Sequence, residues 1–226
     1  MGRWGERFFE GDNDLDEASM ISEDAGIELY HYEIDEAESD DFSGKGLEAT
    51  REHLNNGVLS RLFNKYSTND PFASGSLSPK ELRLVLLAVL AMRVGATIEP
   101  VHIDLLREAY PKIHVSPKYS WVLSDSGFRA PMKEQFEIAL AHYKNDGTPY
   151  NFNAVRCENK KCAKEKADLG EGQALKKCGK CQEVVYCCKE CQAQDWAKHK
   201  KGCMTPEKRE QQEKKRNGGG FMSLNV

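Results

Sequence analysis

The residues of this chain best suited to chemistry are the thiols and one imidazole near its carboxyl terminus. All 8 cysteines lie between residues 157 and 203 of a chain of 226 residues. Cysteine sulfur and histidine nitrogen are ligands that Zn²⁺ prefers, and four such ligands close a structural site. Eight candidate ligands therefore predict two closed zinc sites with no open position for water or substrate. In chain order the candidates are Cys157, Cys162, Cys178, Cys181, Cys187, Cys191, His199 and Cys203.

The rest of the sequence favours metal ligation over disulfide bonding. The opening residues carry charges where a secretory signal has an apolar run, and no stretch approaches the roughly 18 apolar residues of a membrane span. We therefore expect a cytoplasmic or nuclear protein that does not enter a membrane, and glutathione keeps thiols reduced in those compartments. The spacing of the cysteines and the histidine also favours metal ligation. Cys187 and Cys191 would lie one helical turn apart, as would His199 and Cys203.

The order of the ligands and the residues between them resemble the MYND-type zinc finger over residues 157–203. Seven cysteines with a histidine in seventh place follow the family's order, and VVYC, CCKEC and QAQDWAKHKKGC match its intervening residues. RING and PHD fingers instead place their histidine in the middle of the series. The gaps of 4 and 15 residues after the first and second ligands exceed those of the most compact family members, which implies a larger first loop.

The resemblance also implies how the ligands pair. In MYND fingers the first and second ligands share an ion with the fifth and sixth, and the remaining four share the other ion. A segment this short buries too little apolar surface to fold alone, so metal binding would supply most of its folding free energy, on the order of 10 kcal/mol per zinc. The implied sets are Cys157, Cys162, Cys187 and Cys191 for the first zinc, and Cys178, Cys181, His199 and Cys203 for the second.

The adjacent thiols of Cys187 and Cys188 leave two interpretations open. Neighbouring side chains diverge, so both sulfur atoms cannot easily serve one ion. The gap of three residues before Cys191 favours Cys187 as the ligand, with Cys188 as an exposed spare thiol. Alternatively, Cys188 takes the place of Cys187 through a shifted backbone.

A possible docking surface follows from the same resemblance. Peptide-binding MYND fingers use a glutamine after the sixth ligand and a tryptophan four residues later, which correspond here to Gln192 and Trp196. An aromatic face packs well against a proline ring, and an amide can hold an extended peptide backbone. The resemblance thus implies a protein partner with a proline-containing segment. The alternative is that Trp196 is the core of a very small domain, with Val185 and Tyr186 in a short strand beneath it.

The charge distribution argues against direct binding of nucleic acid. Residues 157–226 contain 16 Lys or Arg and 10 Asp or Glu, a net charge of +6, so the other residues carry −10 of the total of −4. Seven zinc-bound thiolates and two Zn²⁺ ions would reduce the +6 to about +3. The basic residues are also not interleaved with aromatic residues that could stack on bases.

The first 143 residues are predicted to form a mostly α-helical, acidic domain. The clearest helix follows Ser78, which with Glu81 predicts a capping box, while Pro79 suits the first helical position and Gly95 the end. Its nearly continuous apolar sequence predicts a central, buried helix. The opening residues MGRWGERFFEGDNDLD resemble those of uncharacterised fungal proteins that end in a MYND finger, and Trp4, Phe8 and Phe9 are expected to cover the core.

The remaining boundaries follow from composition. Residues 144–156 are rich in asparagine and are predicted to be a linker, and residues 204–226 a polar, partly disordered tail with a short helix. Residues 70–81 resemble a degenerate EF-hand loop, with Asp70 in the first position and Glu81 in the twelfth. Phe72 occupies the third position, where calcium requires an oxygen ligand, so we do not expect calcium binding.

These patterns predict a mostly α N-terminal domain joined to a small zinc-stabilised finger with a short β-hairpin and helices. The favoured function is a non-enzymatic adaptor that recruits a partner protein, with transcriptional regulation as one setting. The alternatives are an enzyme with an active site in the helical domain, which a pocket of converging titratable groups would favour, and a nucleic-acid binder. No phosphate-binding loop, nucleophile elbow or HExxH motif is present, nor the NHxC-like segment of SET methyltransferases.

Overall fold

The computed structural model describes residues 4–30, 44–68, 78–116 and 127–217. The chain divides after Asn153 into two compact units. In the first unit the described helices are α1 (Asp12–Ala25), α2 (Gly44–His53), α3 (Leu59–Ser67), α4 (Lys80–Val94), α5 (Pro100–Ala109) and α6 (Ala130–His142), with a kinked stretch at Leu54–Val58 and a 3₁₀ turn at Tyr110–Lys112. In the second unit they are strands β1 (Lys176–Lys177) and β2 (Val185–Tyr186), helices α7 (Lys189–His199) and α8 (Pro206–Asn217), and a 3₁₀ turn at Lys166–Asp168.

This architecture confirms the predicted fold class. The first unit is helical throughout its described regular structure, and β1 and β2 form a two-stranded antiparallel sheet. Among the described residues, no helix is both long and apolar enough to cross a bilayer. The EF-hand-like loop predicted at residues 70–81 lies largely outside the described residues, because the structure is not described between Thr68 and Ser78.

Helix α4 is the centre of the first unit, as its apolar sequence predicts. Every residue from 82 to 94 is buried, and the helix packs against α1, α2, α3 and α5. A helix that is apolar on all sides is stable only when neighbours cover it on all sides. Around it, Leu62 and Phe63 of α3, Leu106 of α5 and Phe136 of α6 are also fully buried.

The start of α4 differs from the prediction by one residue. Pro79 has a ψ of 139° and occupies the N-cap, so the helix begins at Lys80 rather than at Pro79. The carbonyl oxygen of Pro79 accepts hydrogen bonds from the backbone N–H groups of Leu82 and Arg83, at 3.0 and 3.2 Å. An N-cap residue contributes its carbonyl but keeps an extended ψ, and a proline tolerates this position because its missing N–H is not required there.

One further expectation for the first unit is wrong. The side chain of Trp4 is 58 % exposed and does not cover the core, whereas Phe8 and Phe9 are buried as predicted.

The chain bends between α2 and α3. Asn56 and Gly57 leave helical geometry there, with a φ of 86° at Gly57. Glycine adopts positive φ without steric cost, so it allows the chain to bend at this point.

The segment predicted as a linker, residues 144–156, packs on the first unit as far as Asn153. The side chain of Asn145 bonds both the N–H and the carbonyl of Ile98, at 2.8 and 2.9 Å. The backbone N–H of Tyr150 donates to the carbonyl of Met92 at 2.8 Å, at the end of α4. These bonds give the extended segment backbone partners that a flexible linker would lack.

Gly95 provides a test of this packing. It ends α4 with a φ of 78°, and a Cβ at this position would lie 2.4 Å from the carbonyl oxygen of Gly147. We expect Gly95→Ala to lower the free energy of unfolding by more than the roughly 1–2 kcal/mol that a left-handed alanine costs. Gly26→Ala is the matched control, because Gly26 has a φ of 73° but nothing within 4 Å of its Cβ position.

Urea denaturation of both variants measures the difference. The part of the Gly95→Ala effect that exceeds the Gly26→Ala effect reports the contact with Gly147. Equal destabilisation by the two substitutions would show that the segment around Gly147 does not press against the end of α4.

Candidate metal centre

The second unit has little regular structure with which to hold its shape. In its hairpin Lys176 pairs with Tyr186 and Lys177 with Val185, which confirms the predicted strand at Val185 and Tyr186. The hydroxyl of Tyr186 donates to the carboxylate of Asp195 at 2.7 Å and so connects β2 to α7. The described buried apolar cluster consists of four cysteines and this tyrosine, namely Cys157, Cys178, Cys181, Cys203 and Tyr186.

Four cysteines from distant parts of the unit meet in a first cluster. Their sulfur atoms all lie within 4.8 Å of one another, with 3.6 Å between those of Cys162 and Cys187 and 3.4 Å between those of Cys187 and Cys191. A turn holds the first two ligands, because the N–H of Cys162 donates to the carbonyl of Asn159 at 2.8 Å. The fourth ligand projects from the first turn of α7. The members are Cys157, Cys162, Cys187 and Cys191.

A second cluster combines three cysteines with the histidine. Its ligand atoms also lie within 4.8 Å of one another. The Nε2 atom of His199 is 3.4 Å from the sulfur of Cys178 and 3.6 Å from that of Cys181, while the sulfur atoms of Cys178 and Cys203 are 3.9 Å apart. His199 is the last residue of α7, so this helix carries a ligand of each cluster at opposite ends.

The spacing of these atoms fits tetrahedral zinc. Zn–S bonds of about 2.3 Å and a Zn–N bond of about 2.0–2.1 Å place neighbouring ligands roughly 3.5–3.8 Å apart in a tetrahedron. The sulfur–sulfur and sulfur–nitrogen distances of 3.4–3.9 Å match this requirement. The two clusters contain the same residues that the interleaved pairing implies, and each can hold one zinc ion.

The electrostatics of the clusters favour a bound cation. Burial, followed by the sulfur atoms of Cys162 and Cys157, raises the pKa of Cys187 to about 12. In the other cluster, a hydrogen bond from the backbone of Cys181 is the main cause that lowers the pKa of Cys178 to about 6. Several thiolates cannot share a small volume without a compensating positive charge, and a divalent cation at the centre of each cluster supplies it.

Comparison with known proteins agrees with this geometry. The sequence model of the MYND finger matches residues 156–203. Residues 156–203 form a MYND finger. The finger is also similar to a SET and MYND domain-containing protein of Dictyostelium discoideum, 43 % identical over 51 residues, which are 23 % of this chain and 9 % of that protein. A second relative is Egl nine homolog 1 of Mus musculus, 53 % identical over 34 residues, 15 % of this chain and 8 % of that protein.

These relatives share only a short segment with the chain, which spans less than a tenth of the length of either one. No solved structure matches the chain. The resemblance of the opening residues to fungal proteins is not shown by these comparisons and stays a prediction. What the family establishes is that the MYND finger binds zinc and belongs to a class of protein-interaction modules.

The MYND finger places Cys187 and Cys188 in different roles. Cys187 belongs to the first cluster, and the exposed Cys188 lies outside both clusters. Cys188 is the N-cap of α7, and its sulfur accepts a hydrogen bond from the backbone N–H of Cys191 at 3.4 Å. An N-cap side chain that accepts such a bond stabilises the start of the helix. The second thiol thus supports the helix that carries the ligands.

Gln192 and Trp196 lie on one face of α7, because residues four positions apart on a helix are neighbours. Trp196 is 42 % exposed, and its ring centroid lies 5.8 Å from that of His199. Tyr186, which is only 2 % exposed, is the buried aromatic residue of the MYND finger. Trp196 is therefore a surface residue held beside a ligand of the second cluster rather than the core of the domain.

One supporting residue was missed from the sequence. Asn159 is buried, and its side-chain amide donates to the side-chain oxygen of Gln194 at 2.9 Å, which joins the first ligand loop to α7. Its own side-chain oxygen accepts from the N–H of Lys161 at 3.2 Å. An asparagine between two closely spaced ligands is typical of a tight turn, and this was the available signal.

Proposed function

We propose that this protein is a zinc-dependent adaptor that recruits a partner protein through its MYND finger. Each cluster offers four protein ligands, and a tetrahedral zinc with four protein ligands has no position for a substrate or a reactive water. The proposed role of the metal is therefore to shape a binding surface, and the proposed activity is binding rather than catalysis.

The exposed side chain of Trp196 is the observation that carries this proposal. A large aromatic ring that is 42 % exposed keeps apolar surface that a partner can cover. Aromatic residues of this kind are enriched among those that dominate binding energy. With the half-buried Gln192 one turn away, the surface suits an extended segment that presents a proline ring and backbone hydrogen-bonding groups.

Zinc would fix the orientation of this surface. Trp196 and Gln192 both lie on α7, whose first turn holds Cys191 and whose last residue is His199. The hydrogen bond from Tyr186 to Asp195 holds the middle of the same helix. A preorganised surface binds more tightly because less conformational entropy is lost on association. The proposal therefore couples partner binding to zinc occupancy.

The proposed setting is the cytoplasm or the nucleus, with transcriptional regulation as one possible process. Both clusters require reduced thiols, which these compartments maintain. Direct contact with nucleic acid is not part of the proposal, because zinc-bound thiolates offset half of the +6 charge of residues 157–226.

The docking surface can be tested by Trp196→Ala. We expect this variant to bind a proline-containing partner at least tenfold more weakly, since truncating a central tryptophan removes about 2 kcal/mol or more. Trp4→Ala is the matched control, because Trp4 is also exposed, at 58 %, but lies in the first unit. Affinity capture from cell extract with the wild-type protein and the two variants would identify partners. Titration of each ¹⁵N-labelled protein with proline-containing peptides from those partners would measure binding.

Partners and peptides that lose affinity for Trp196→Ala but keep it for Trp4→Ala would support the surface. Identical partner lists and equal peptide affinities for all three proteins would contradict it. Zinc content is measured in parallel, so that a loss of binding is attributed to the ring and not to an unfolded finger.

A further inference from the structure

The exposed ring of Trp196 lies between two lysines on one face of α7. Successive residues of an α-helix are turned by about 100°, so Lys189 and Lys200 lie within about 40° of the direction of Trp196. Lys200 is the C-cap residue and keeps helical backbone angles, with a φ of −55° and a ψ of −26°. Both lysines are exposed. This face, the lysine–tryptophan stripe of Lys189, Trp196 and Lys200, thus has a positive charge on either side of the ring.

The acidic residues of α7 lie away from this stripe. Glu190 and Asp195 are turned from Trp196 by about 120° and about 100°. The carboxylate of Asp195 accepts the hydroxyl of Tyr186 at 2.7 Å. The carboxylate of Glu190 accepts hydrogen bonds from its own backbone N–H and from the thiol of Cys188, which hold it at the positive end of the helix dipole. Both carboxylates therefore serve the fold of the MYND finger.

The positive charge of the stripe is retained in its surroundings. Lys189 interacts electrostatically with Glu190, so part of its charge is shared. The side chain of Lys200 forms no ion pair or hydrogen bond within the described part of the chain. The second cluster, with three thiolates and one Zn²⁺, would carry −1 beside His199, against +2 from the two lysines. Lys200, one helical turn from Trp196, is thus available to a partner.

Small side chains leave one side of the indole ring open. Ala193 and Ala197 are exposed and are turned from Trp196 by about 60° and about 100° in the same sense. On the other side lies His199, whose ring centroid is 5.8 Å from that of Trp196. A proline ring can therefore pack against the open side of the indole, where no large side chain of α7 stands in its way.

The spacing along α7 determines where charges would lie in a bound segment. At about 1.5 Å per residue, Lys200 lies about 6 Å from Trp196 along the helix axis and Lys189 about 10.5 Å in the opposite direction. An extended chain advances about 3.3 Å per residue. A segment that runs along α7 with its proline on Trp196 therefore brings its second residue on one side to Lys200, and its third residue on the other side to Lys189.

We propose that the lysine–tryptophan stripe selects proline-containing segments that have acidic residues two to three positions from the proline on both sides. This selection rests on the proposed function, because it requires a segment to bind at Trp196. Carboxylates at these positions pair with Lys200 and Lys189, and each exposed pair strengthens binding by about threefold. Basic segments are disfavoured because like charges repel. A polyanion without a proline would be attracted by charge alone, which is the competing outcome of the test.

Titration of the ¹⁵N-labelled full-length protein with three synthetic peptides tests this selection. The peptides share a central pair of prolines and differ in the three residues on each side, which are all glutamate, all glutamine or all lysine. We expect the glutamate peptide to bind about tenfold more tightly than the glutamine peptide, and the lysine peptide to bind most weakly. Raising the salt concentration from about 0.05 M to about 0.5 M should remove most of this difference.

Lys200→Gln measures the contribution of the free lysine. We expect it to weaken binding of the glutamate peptide by about threefold and to leave binding of the glutamine peptide unchanged, because only the first offers a carboxylate to residue 200. Lys198→Gln is the matched control, because Lys198 is also exposed on α7 but is turned from Trp196 by about 160°. Zinc content shows that the MYND finger is folded in each variant.

Different outcomes distinguish the acidic selection from the docking surface itself. Equal affinities for the glutamate and glutamine peptides, both lost in Trp196→Ala, would overturn the selection and keep the docking surface. Equal affinities of Lys200→Gln and Lys198→Gln for the glutamate peptide would do the same. Glutamate-peptide binding that persists in Trp196→Ala would show attraction by charge alone and overturn both, as would a failure of all three peptides to bind.

Discussion

Replacing Cys178 with serine is expected to unfold the MYND finger and to leave the first unit folded. The described buried cluster of the finger consists of Tyr186 and four candidate zinc ligands, with Leu175 and Val184 partly buried against it, so little besides the metal can hold it together. A structural zinc contributes on the order of 10 kcal/mol to folding at neutral pH, and a neutral serine hydroxyl is a poor substitute for a thiolate. The first unit has its own core and shares none of these ligands.

The interleaved ligand sets make this effect large. Cys178 and Cys181 lie beside β1, whereas His199 and Cys203 lie at and beyond the end of α7, so the second zinc would connect the hairpin to the C-terminal end of the finger. In a ¹H–¹⁵N spectrum of Cys178→Ser we expect the dispersed amide signals of residues 156–203 to collapse. Zinc content should fall from two equivalents to one or fewer.

Cys188→Ser is the matched control for this experiment. It changes the same atom type ten residues away, but Cys188 belongs to neither cluster. Serine is a preferred N-cap residue, so it can replace the hydrogen bond that Cys188 accepts from the N–H of Cys191. We expect a native spectrum and two zinc equivalents. If Cys188→Ser behaved like Cys178→Ser, the assignment of Cys187 as the ligand would be wrong.

Arg83→Met is expected to lower the free energy of unfolding of the first unit strongly. The Nε atom of Arg83 lies 2.8 Å from a carboxylate oxygen of Glu17, and the two side chains are only 2 % and 4 % exposed. Removing one partner leaves the other charge buried and uncompensated, which costs about 3–5 kcal/mol. The guanidinium also lies 5.0 Å from the ring centroid of Tyr66, and this cation–π contact is lost. A domain with a stability of about 5–15 kcal/mol would be severely weakened.

Urea denaturation of the full chain, followed by signals of the first unit, measures this loss. Arg107→Met is the control, because its pair with Asp104 is exposed at 59 % and 70 % and should contribute less than about 1 kcal/mol. The double variant Arg83→Met/Glu17→Gln should be more stable than Arg83→Met alone, since it removes the uncompensated charge. A loss of less than about 1 kcal/mol in Arg83→Met would contradict the buried pair.

The zinc ligands were accessible from the sequence because zinc sites depend on local spacing. Residue type and short gaps identified all eight ligands, and the strand at Val185 and Tyr186 followed from its apolar residues. Spacing alone does not determine which ligands share an ion, because the pairing depends on how the chain returns on itself. That information came from the resemblance to MYND fingers.

Long-range features of the first unit could not be predicted in this way. The buried pair of Asp14 and Arg129 joins residues 115 positions apart, and neither local sequence marks the residue as buried. The end of α4 was predicted correctly because a left-handed glycine, Gly95, ends the helix. Pro79 was placed wrongly because a proline suits both the N-cap and the first helical position.

The dependence of the finger on zinc is tested most directly by the zinc content of the purified protein, measured by native mass spectrometry before and after treatment with a strong chelator. We expect two zinc ions per chain and, after their removal, loss of the dispersed amide signals of residues 156–203 with those of the first unit retained. A finger that carries fewer than two zinc ions, or that keeps its spectrum when the metal is gone, would show that two zinc ions do not hold it together.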